Sequence, residues 1–318
     1  MAEPSEFALI RHYLSHLGAN RDDVTLGVGD DAAVVTTSGQ SLLMALDTLV
    51  DGVHFPSDLP AYWIGYRALA VNLSDIAAMG GEPLWALLSL TLPHVDEDWV
   101  AGFADGLGTL AARHGVAVIG GDVTRGPLSI SLQITGRAPA TPLRRDGARA
   151  GDRVWVSGRP GEAMAGLGVW QSPAHRDQPR WAGLRRTFVA PRPRVALGRA
   201  LAGIATAAID ISDGLVADAG HIADSSGVAI DLASASLRPS ARLRRWVGEA
   251  ATVVPPAGGD DYELCFTAPA SADTRVAAAA RRSRTPVRCI GSVDVGTGVT
   301  FDGRSIADGA GGYRHFQD

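Results

Sequence analysis

Aspartate recurs along this 318-residue chain at glycine- or serine-flanked turns, mostly just after an apolar run. The segments read GVGDDAAVV (Asp30, Asp31), MALDTLV (Asp47), AVNLSDIAAMGG (Asp75), AVIGGDVTRG (Asp122), AAIDISDGL (Asp210, Asp213) and AGGDDYELCF (Asp260, Asp261). Any one of them has a bland reading as an Asx-turn or helix cap. Their repetition at the ends of apolar runs is the signal, because strand ends are where open α/β folds place ligands. Carboxylates that converge on one cleft repel each other unless cations share the space, and hard divalent ions want those oxygens. Asp47 and Asp75 stand out, since a carboxylate inside an apolar run is costly to bury unless it is paired or metal-bound. All 29 basic side chains are arginine, and lysine is absent. That excludes a P-loop lysine, a protein-kinase lysine and a Schiff base. Any phosphate handled here falls to metal ions, backbone amides and arginine.

The elements that must position these groups follow from periodicity. Phe7, Ile10, Leu14 and Leu17 give a helix capped by Ser5. Strands are expected over Val24–Thr36, broken by GVGDD, and over Leu42–Val50. Pro60–Met79 reads as a long apolar helix with Asn72 and Asp75 on a common face. Trp85–Leu92 is a strand, Asp96–His114 an acid-started helix ending at Gly115, and Val116–Ile119 a short buried strand running into Gly120–Gly121–Asp122. Leu128–Thr135 alternates as a strand. The Pro-, Gly- and Arg-rich segment Ala138–Asp152 reads as a domain junction. Beyond it the pattern restarts: strand Arg153–Ser157, a helix near Gly161–Trp170, and a connection to Pro193 expected to be exposed. A strand–turn–helix follows over Ala207–Ser225, with Asp218 and His221 on the helix. Strand Val228–Leu232, a helix near Arg242–Glu249, strand Tyr262–Thr267, helix Ala270–Arg281 and strand Val287–Val293 complete an α/β (α+β mixed) pattern. Two domains are expected, 1–137 and 150–318.

Composition is that of a soluble globular protein, 46% hydrophobic and 20% charged. A net charge of −5 with dispersed arginines gives no attraction to nucleic acid. No window approaches the roughly 20 apolar residues of a membrane span, and the acidic amino terminus lacks a basic leader pattern, so the expected location is cytoplasmic. Cys265 and Cys289 lie in apolar runs and read as small core residues.

The segments EFALI, LGVGDDAAVV, DTLVDGVHF, ALAVNLSDIAAMGGEP, IGGDVTRGPLS, DGARAGD, SGRPGE, AIDISDGLVADAGHIA, GGDDYELCFT and GYRHF run in order from residue 6 to residue 316. Together they resemble the thiamine-monophosphate kinase family, within the aminoimidazole ribonucleotide synthetase-like superfamily, over essentially the whole chain. The resemblance implies an ATP-dependent enzyme that phosphorylates thiamine monophosphate on its existing phosphate with several Mg²⁺, and a homodimer formed through the amino-terminal domains. By motif it implies Asp30, Asp47, Asp75, Asp122, Asp210 and Asp213 as metal ligands. Gly121, Asp122, Arg145 and Ser212 would contact ATP, and His54, Asp260 and Tyr313 would line the thiamine phosphate site. Read singly, His54, Arg145 and Tyr313 are ordinary core, loop and tail residues; the weight comes from the set. Two departures are present: Ala45 and Leu46 replace hydroxyl residues before Asp47, and Asp260 replaces a longer Glu.

Two rival readings follow. A sister enzyme of the superfamily would share the fold and the Mg–ATP chemistry, but its selenium-handling members carry an early cysteine and none precedes Cys265 here. A calcium-stabilised binding module would need an Asp-x-Asp-x-Asp-Gly loop, which is missing.

Overall fold

Residues 24–26, 30–37, 39–248, 258–305 and 312 are described by the computed structural model of the chain. The expected Ser5–Leu17 helix and Tyr313 lie outside them. Strands β1 (Val24–Leu26), β2 (Ala33–Thr37), β3 (Gln40–Val50), β4 (Glu82–Leu92), β5 (Ala117–Arg125) and β6 (Ser129–Arg137) form one sheet in the order β1-β2-β3-β6-β4-β5. All its pairs are antiparallel except β4 with β5, which are joined by a helical crossover.

Helices α1 (Ala61–Ala78) and α2 (Glu97–His114) cover one face of that sheet. α2 follows its sequence signals closely. The Asp96 side chain accepts the Trp99 N–H at 3.0 Å, Glu97 and Asp98 occupy the first turn, and Gly115 closes the helix in the left-handed conformation. α1 has no acidic first turn and is buried almost all round, so its stability comes from packing. It carries Arg67, Asn72 and Ser74 into the interior. The two helices touch backbone to backbone: a Cβ at Gly65 would meet the Phe103 carbonyl oxygen at 2.0 Å, and one at Gly106 the Tyr62 carbonyl oxygen at 1.8 Å.

The second sheet is built from β7 (Asp152–Ser157), β8 (Ala207–Asp210), β9 (Ala229–Leu232), β10 (Leu264–Pro269), β11 (Val287–Asp294), β12 (Gly298–Phe301) and β13 (Arg304–Ser305). Its order is β13-β12-β9-β11-β7-β10-β8, antiparallel except for β12 with β9. Helices α3 (Glu162–Gln171), α4 (Ala182–Val189), α5 (Val195–Leu201), α6 (Leu215–Ser226), α7 (Ser234–Leu237), α8 (Ala241–Val247) and α9 (Asp273–Ser283) surround it. No strand is shared between the sheets, yet one apolar core runs through both: Phe188, Leu197, Leu201, Phe266 and Val276 pack in the same cluster as Leu69, Leu73 and Ile76 of α1.

Two expectations are corrected. The strand expected to be short and buried at Val116–Ile119 is β5, which extends to Arg125 and is exposed along its whole length. It is the last strand of its sheet, and Val118, Ile119 and Val123 are exposed together with Leu46, Trp85 and Leu87 on β3 and β4. The stretch leading to Pro193 is not an exposed connection, because Trp181, Leu184, Phe188 and Val189 are buried. The strands β12 and β13 and the helices α5 and α7 carried no sequence signal that announced them.

The helix contact makes a paired prediction. Gly106→Ala forces a methyl into the Tyr62 backbone and should destabilise the protein at the upper end of the roughly 1–3 kcal/mol typical of overpacking. Gly108→Ala, on the same helix with open space at its Cβ, should be neutral or stabilising by up to about 1 kcal/mol. Thermal melts of both variants decide it, and equal melting temperatures would refute the close α1–α2 contact.

Candidate active site

β3 alternates Leu43, Ala45 and Leu49 into the core, and Asp47 shares their side, facing α1. There it meets Asp75, whose side chain is hydrogen-bonded to it. Asp210 ends β8 of the other sheet, only 4% exposed. Asp31 precedes β2. Carboxylate oxygens of Asp31, Asp75 and Asp210 lie within 4.8 Å of one another, so four elements deliver four acids to one place.

Desolvation sets the electrostatics. Burial pushes Asp47 up to about 6, opposed by its bond with Asp75, while Asp31 adds to the rise. Asp75 is pushed well above the carboxylate range by burial first, then by Asp47, Asp210 and Asp31. Burial and Asp31 do the same to Asp210, with the Ser74 hydroxyl acting in the opposite direction. In each case burial and the neighbouring acids favour the neutral form. An all-oxygen, desolvated, mutually repelling set is the donor chemistry a hard divalent ion requires.

Arg145 supplies the positive charge that is present. Its guanidinium donates to Asp31 at 2.5 Å and lies 3.6 Å from Asp30. Asp30 itself accepts the backbone N–H groups of Arg145 and Asp31 at 3.1 and 2.9 Å. Burial and then Asp31 raise Asp30 to about 6, against those two bonds. So Asp31 joins the acidic group directly, and Asp30 ties the 145–147 turn beside it. The two adjacent aspartates are indistinguishable by sequence pattern.

His54 sits in the turn after β3, where its Nδ1 accepts the Val50 N–H at 3.0 Å. The ring proton of a neutral His54 is therefore on Nε2. Ser212 is exposed at the end of β8, and its carbonyl accepts the Asp260 N–H at 2.7 Å. The Tyr262 N–H bonds to the Ile211 carbonyl at 2.9 Å, so the 210–213 turn and the GGDDYE segment are zipped together. Asp260 takes φ +67° and its carboxylate accepts from Arg67 at 2.6 Å. A Cβ at Gly312 would lie 3.0 Å from the Asp213 carbonyl oxygen, which puts the residue before Tyr313 against this turn.

Asp122 does not join the group within this chain. Register aligns Asp47 with Leu132, Leu88 and Gly121 across β6, β4 and β5, three strand spacings or roughly 14 Å. Asp122 aligns instead with Ser89, Ser131 and Thr48, on the opposite face of the sheet from Asp47. Gly121 is needed locally: its φ is +151° and a Cβ would lie 1.7 Å from the Leu88 carbonyl oxygen.

A second oxygen–nitrogen group consists of Asp213, Asp218 and His221, with ligand atoms within 4.8 Å of one another. Asp218 is raised well above its usual range by burial and then by Asp213 and Asp210, against the Gly214 N–H that it accepts at 3.0 Å. Asp218 and His221 carried a legible signal, a three-residue spacing on the helix that leaves the ISDGL turn.

Comparison with known proteins gives consistent likenesses. Residues 29–138 match the family described as AIR synthase related protein, N-terminal domain. The thiamine-monophosphate kinase of Salmonella typhimurium is 42% identical over 318 residues, 98% of each chain. The crystal structure of thiamine-monophosphate kinase from Stenotrophomonas maltophilia superposes with TM-score 0.82 at 45% identity, covering 90% of this chain and 93% of that one. AaThiL complexed with AMPPCP and TMP superposes with TM-score 0.89 at 33% identity, covering 99% and 98%.

Two outcomes test the site. Asp75→Asn should lower turnover by at least about 100-fold, in line with removing a charge-stabilising group. Its metal-free melting temperature should not fall, because the change removes a desolvated acid. Lost activity together with a lowered melting temperature would instead make Asp75 structural. The second outcome concerns pH. Asp30 and Asp47 have folded values near 6, above the model-peptide value of 3.8. Their contribution to metal-free stability is complete below about pH 4 and is lost as pH rises through 6. Mg²⁺ should therefore raise the melting temperature more at pH 7.5 than at pH 5. An equal shift at both values would disprove the cation assignment.

Proposed function

Because this chain belongs to the thiamine-monophosphate kinase family, we propose that it transfers the terminal phosphoryl group of ATP to thiamine monophosphate in the cytoplasm, giving thiamine diphosphate. The observation that carries this reading is the convergence of Asp31, Asp47, Asp75 and Asp210 from two sheets on one desolvated point. A likeness that spans the whole chain supports it, including a relative complexed with AMPPCP, a nucleotide analogue, and TMP.

Two anionic reactants must meet, and Mg²⁺ held by these carboxylates would neutralise the charge between them. The chain's own residues then align the partners. Asp31, Asp75 and Asp210, with Asp47 beside them and Asp213 on the adjoining turn, set where the phosphates sit. Arg145 is a permanent cation at their edge. His54 offers its Nε2 proton to the substrate phosphate, and Asp260 and, by family motif, Tyr313 are the residues assigned to the thiamine moiety. The acceptor oxygen is already ionised, so no general base and no covalent intermediate is required, and in-line transfer becomes a matter of position and charge.

The exposed apolar side chains of β3, β4 and β5 support a homodimer formed through the amino-terminal sheet, since patches of this kind mark association surfaces. Asp122 and Gly121 lie on β5, so dimerisation would place them at the subunit boundary, available to nucleotide there.

A coupled ADP-release assay tests the activity. Thiamine monophosphate should support Mg²⁺-dependent turnover and free thiamine should not. Robust turnover of free thiamine, or none of the monophosphate, would overturn the assignment.

A further inference from the structure

Arg67 is the largest fully buried side chain of the described residues, 1% exposed in the middle of α1. It reaches out of its own sheet's layer. One guanidinium nitrogen donates to the Phe188 carbonyl at the end of α4, and the other donates to the Asp260 carboxylate at 2.6 Å. The guanidinium carbon lies 4.7 Å from the Phe188 ring centroid. Nε is buried and has no partner among the described residues.

As a stabilising strut this arrangement is poor. An ion pair taken out of water is weak evidence for stability, and an Nε without a partner among the described residues adds a desolvation cost. Asp260 is moreover held at φ +67°, a sparsely populated conformation that persists only where the surroundings impose it. Buried polar arrangements with such costs cluster at functional sites. The pair is also asymmetric: the Asp260 side chain remains 28% exposed while Arg67 is sealed. Arg67 thus fixes one carboxylate oxygen from behind and leaves the rest of the carboxylate to whatever lies in front.

We propose that Arg67 is a positioning residue for substrate, acting through Asp260, which it orients toward the cationic heteroaromatic part of the molecule whose phosphate sits among the aspartates. This deepens the functional reading above and rests on it. Arg67 and Asp75 lie eight residues apart on one helix, an axial distance of about 12 Å. α1 is consequently a rigid spacer between the carboxylate that takes the phosphate end and the one that takes the ring end. The short Asp at position 260 suits this role, since aspartate tolerates positive φ better than a longer, bulkier acid.

The test uses the full-length protein and four variants: Arg67→Met, Arg67→Lys, Asp260→Asn and the Arg67→Met/Asp260→Asn double. Kd for thiamine monophosphate and for a non-hydrolysable ATP analogue is measured by calorimetry, alongside KM and kcat. Arg67→Met should raise Kd and KM for thiamine monophosphate by about tenfold, the scale of one lost charge-assisted bond. The nucleotide constant should stay within about twofold and kcat within about threefold. Arg67→Lys should recover part of the loss. The double variant should be no worse than Asp260→Asn alone, because coupled residues are not additive. Asp260→Asn leaves a buried arginine unpaired; if it does not fold, the double variant, which removes both charges, carries the comparison against Arg67→Met. Equal weakening of both ligands, or additive losses, would overturn the proposal. A wild-type protein that does not bind thiamine monophosphate would overturn the functional reading as well. Wild-type binding with unaltered variants would overturn this inference alone.

Discussion

Carboxylates forced together in a largely buried place repel one another, and the rest of this structure is organised around that constraint. Asp31, Asp47, Asp75 and Asp210 reach a common point from a loop, a strand, a helix and a strand of a different sheet. No single element could hold them, because each would relax away from the others. The charge of Arg145, paired with Asp31, offsets part of that repulsion. Arg145 belongs to the segment between the two sheets, and its carbonyl accepts the Ser226 hydroxyl of α6. The charge that quiets the acids therefore also fastens the junction to the second half.

Rigidity comes from α1. A helix buried on every side cannot shift without dragging several layers, since interiors are packed at crystal-like density. Its contact with α5 is as close as that with α2: a Cβ at Gly198 would lie 1.9 Å from the Ala77 carbonyl oxygen. α1 is thus gripped on two sides by backbone contacts while carrying Arg67 and Asp75. Positional precision in phosphoryl transfer is worth a large share of the barrier, and this helix is where the chain secures it.

Much of this was readable from residue order. The caps of α2, the strand running into Asp47, the polar intruder Asp75 and the ISDGL turn all obey local rules, and local rules survive in sequence. What escaped was decided by neighbours. β5 has the apolar content of a buried strand, and only its position at the sheet edge exposes it. The Trp- and Arg-rich stretch before Pro193 looks like a solvated loop, yet Phe188 packs against the face of Arg67. Asp30 and Asp31 differ in surroundings, one accepting backbone amides and the other lying among the acids. Asp47 and Asp122 share the same motif grammar, but strand register and pleat put them on opposite faces. Arg67 left no trace as a site residue, since its partner lies 193 residues further along the chain.

The absence of lysine fits these demands. Arg67 must address a carbonyl and a carboxylate at once from a buried position, and Arg145 must span two adjacent aspartates. A planar fork with five donors and a permanent charge does both, whereas an ammonium in the same burial would tend to lose its proton. On the proposed function this permanence has a further consequence. A cation arriving among Asp31, Asp75 and Asp210 neutralises the acid that Arg145 now grips, and weakens that pair. The guanidinium cannot discharge, so its charge becomes available to the nearest anion that enters, which is a phosphate. Burial works against the Arg145 charge, but the charge and hydrogen bond of Asp31 outweigh it and keep the guanidinium protonated, so one arginine can balance the acids before the reactants bind and hold a phosphate afterwards.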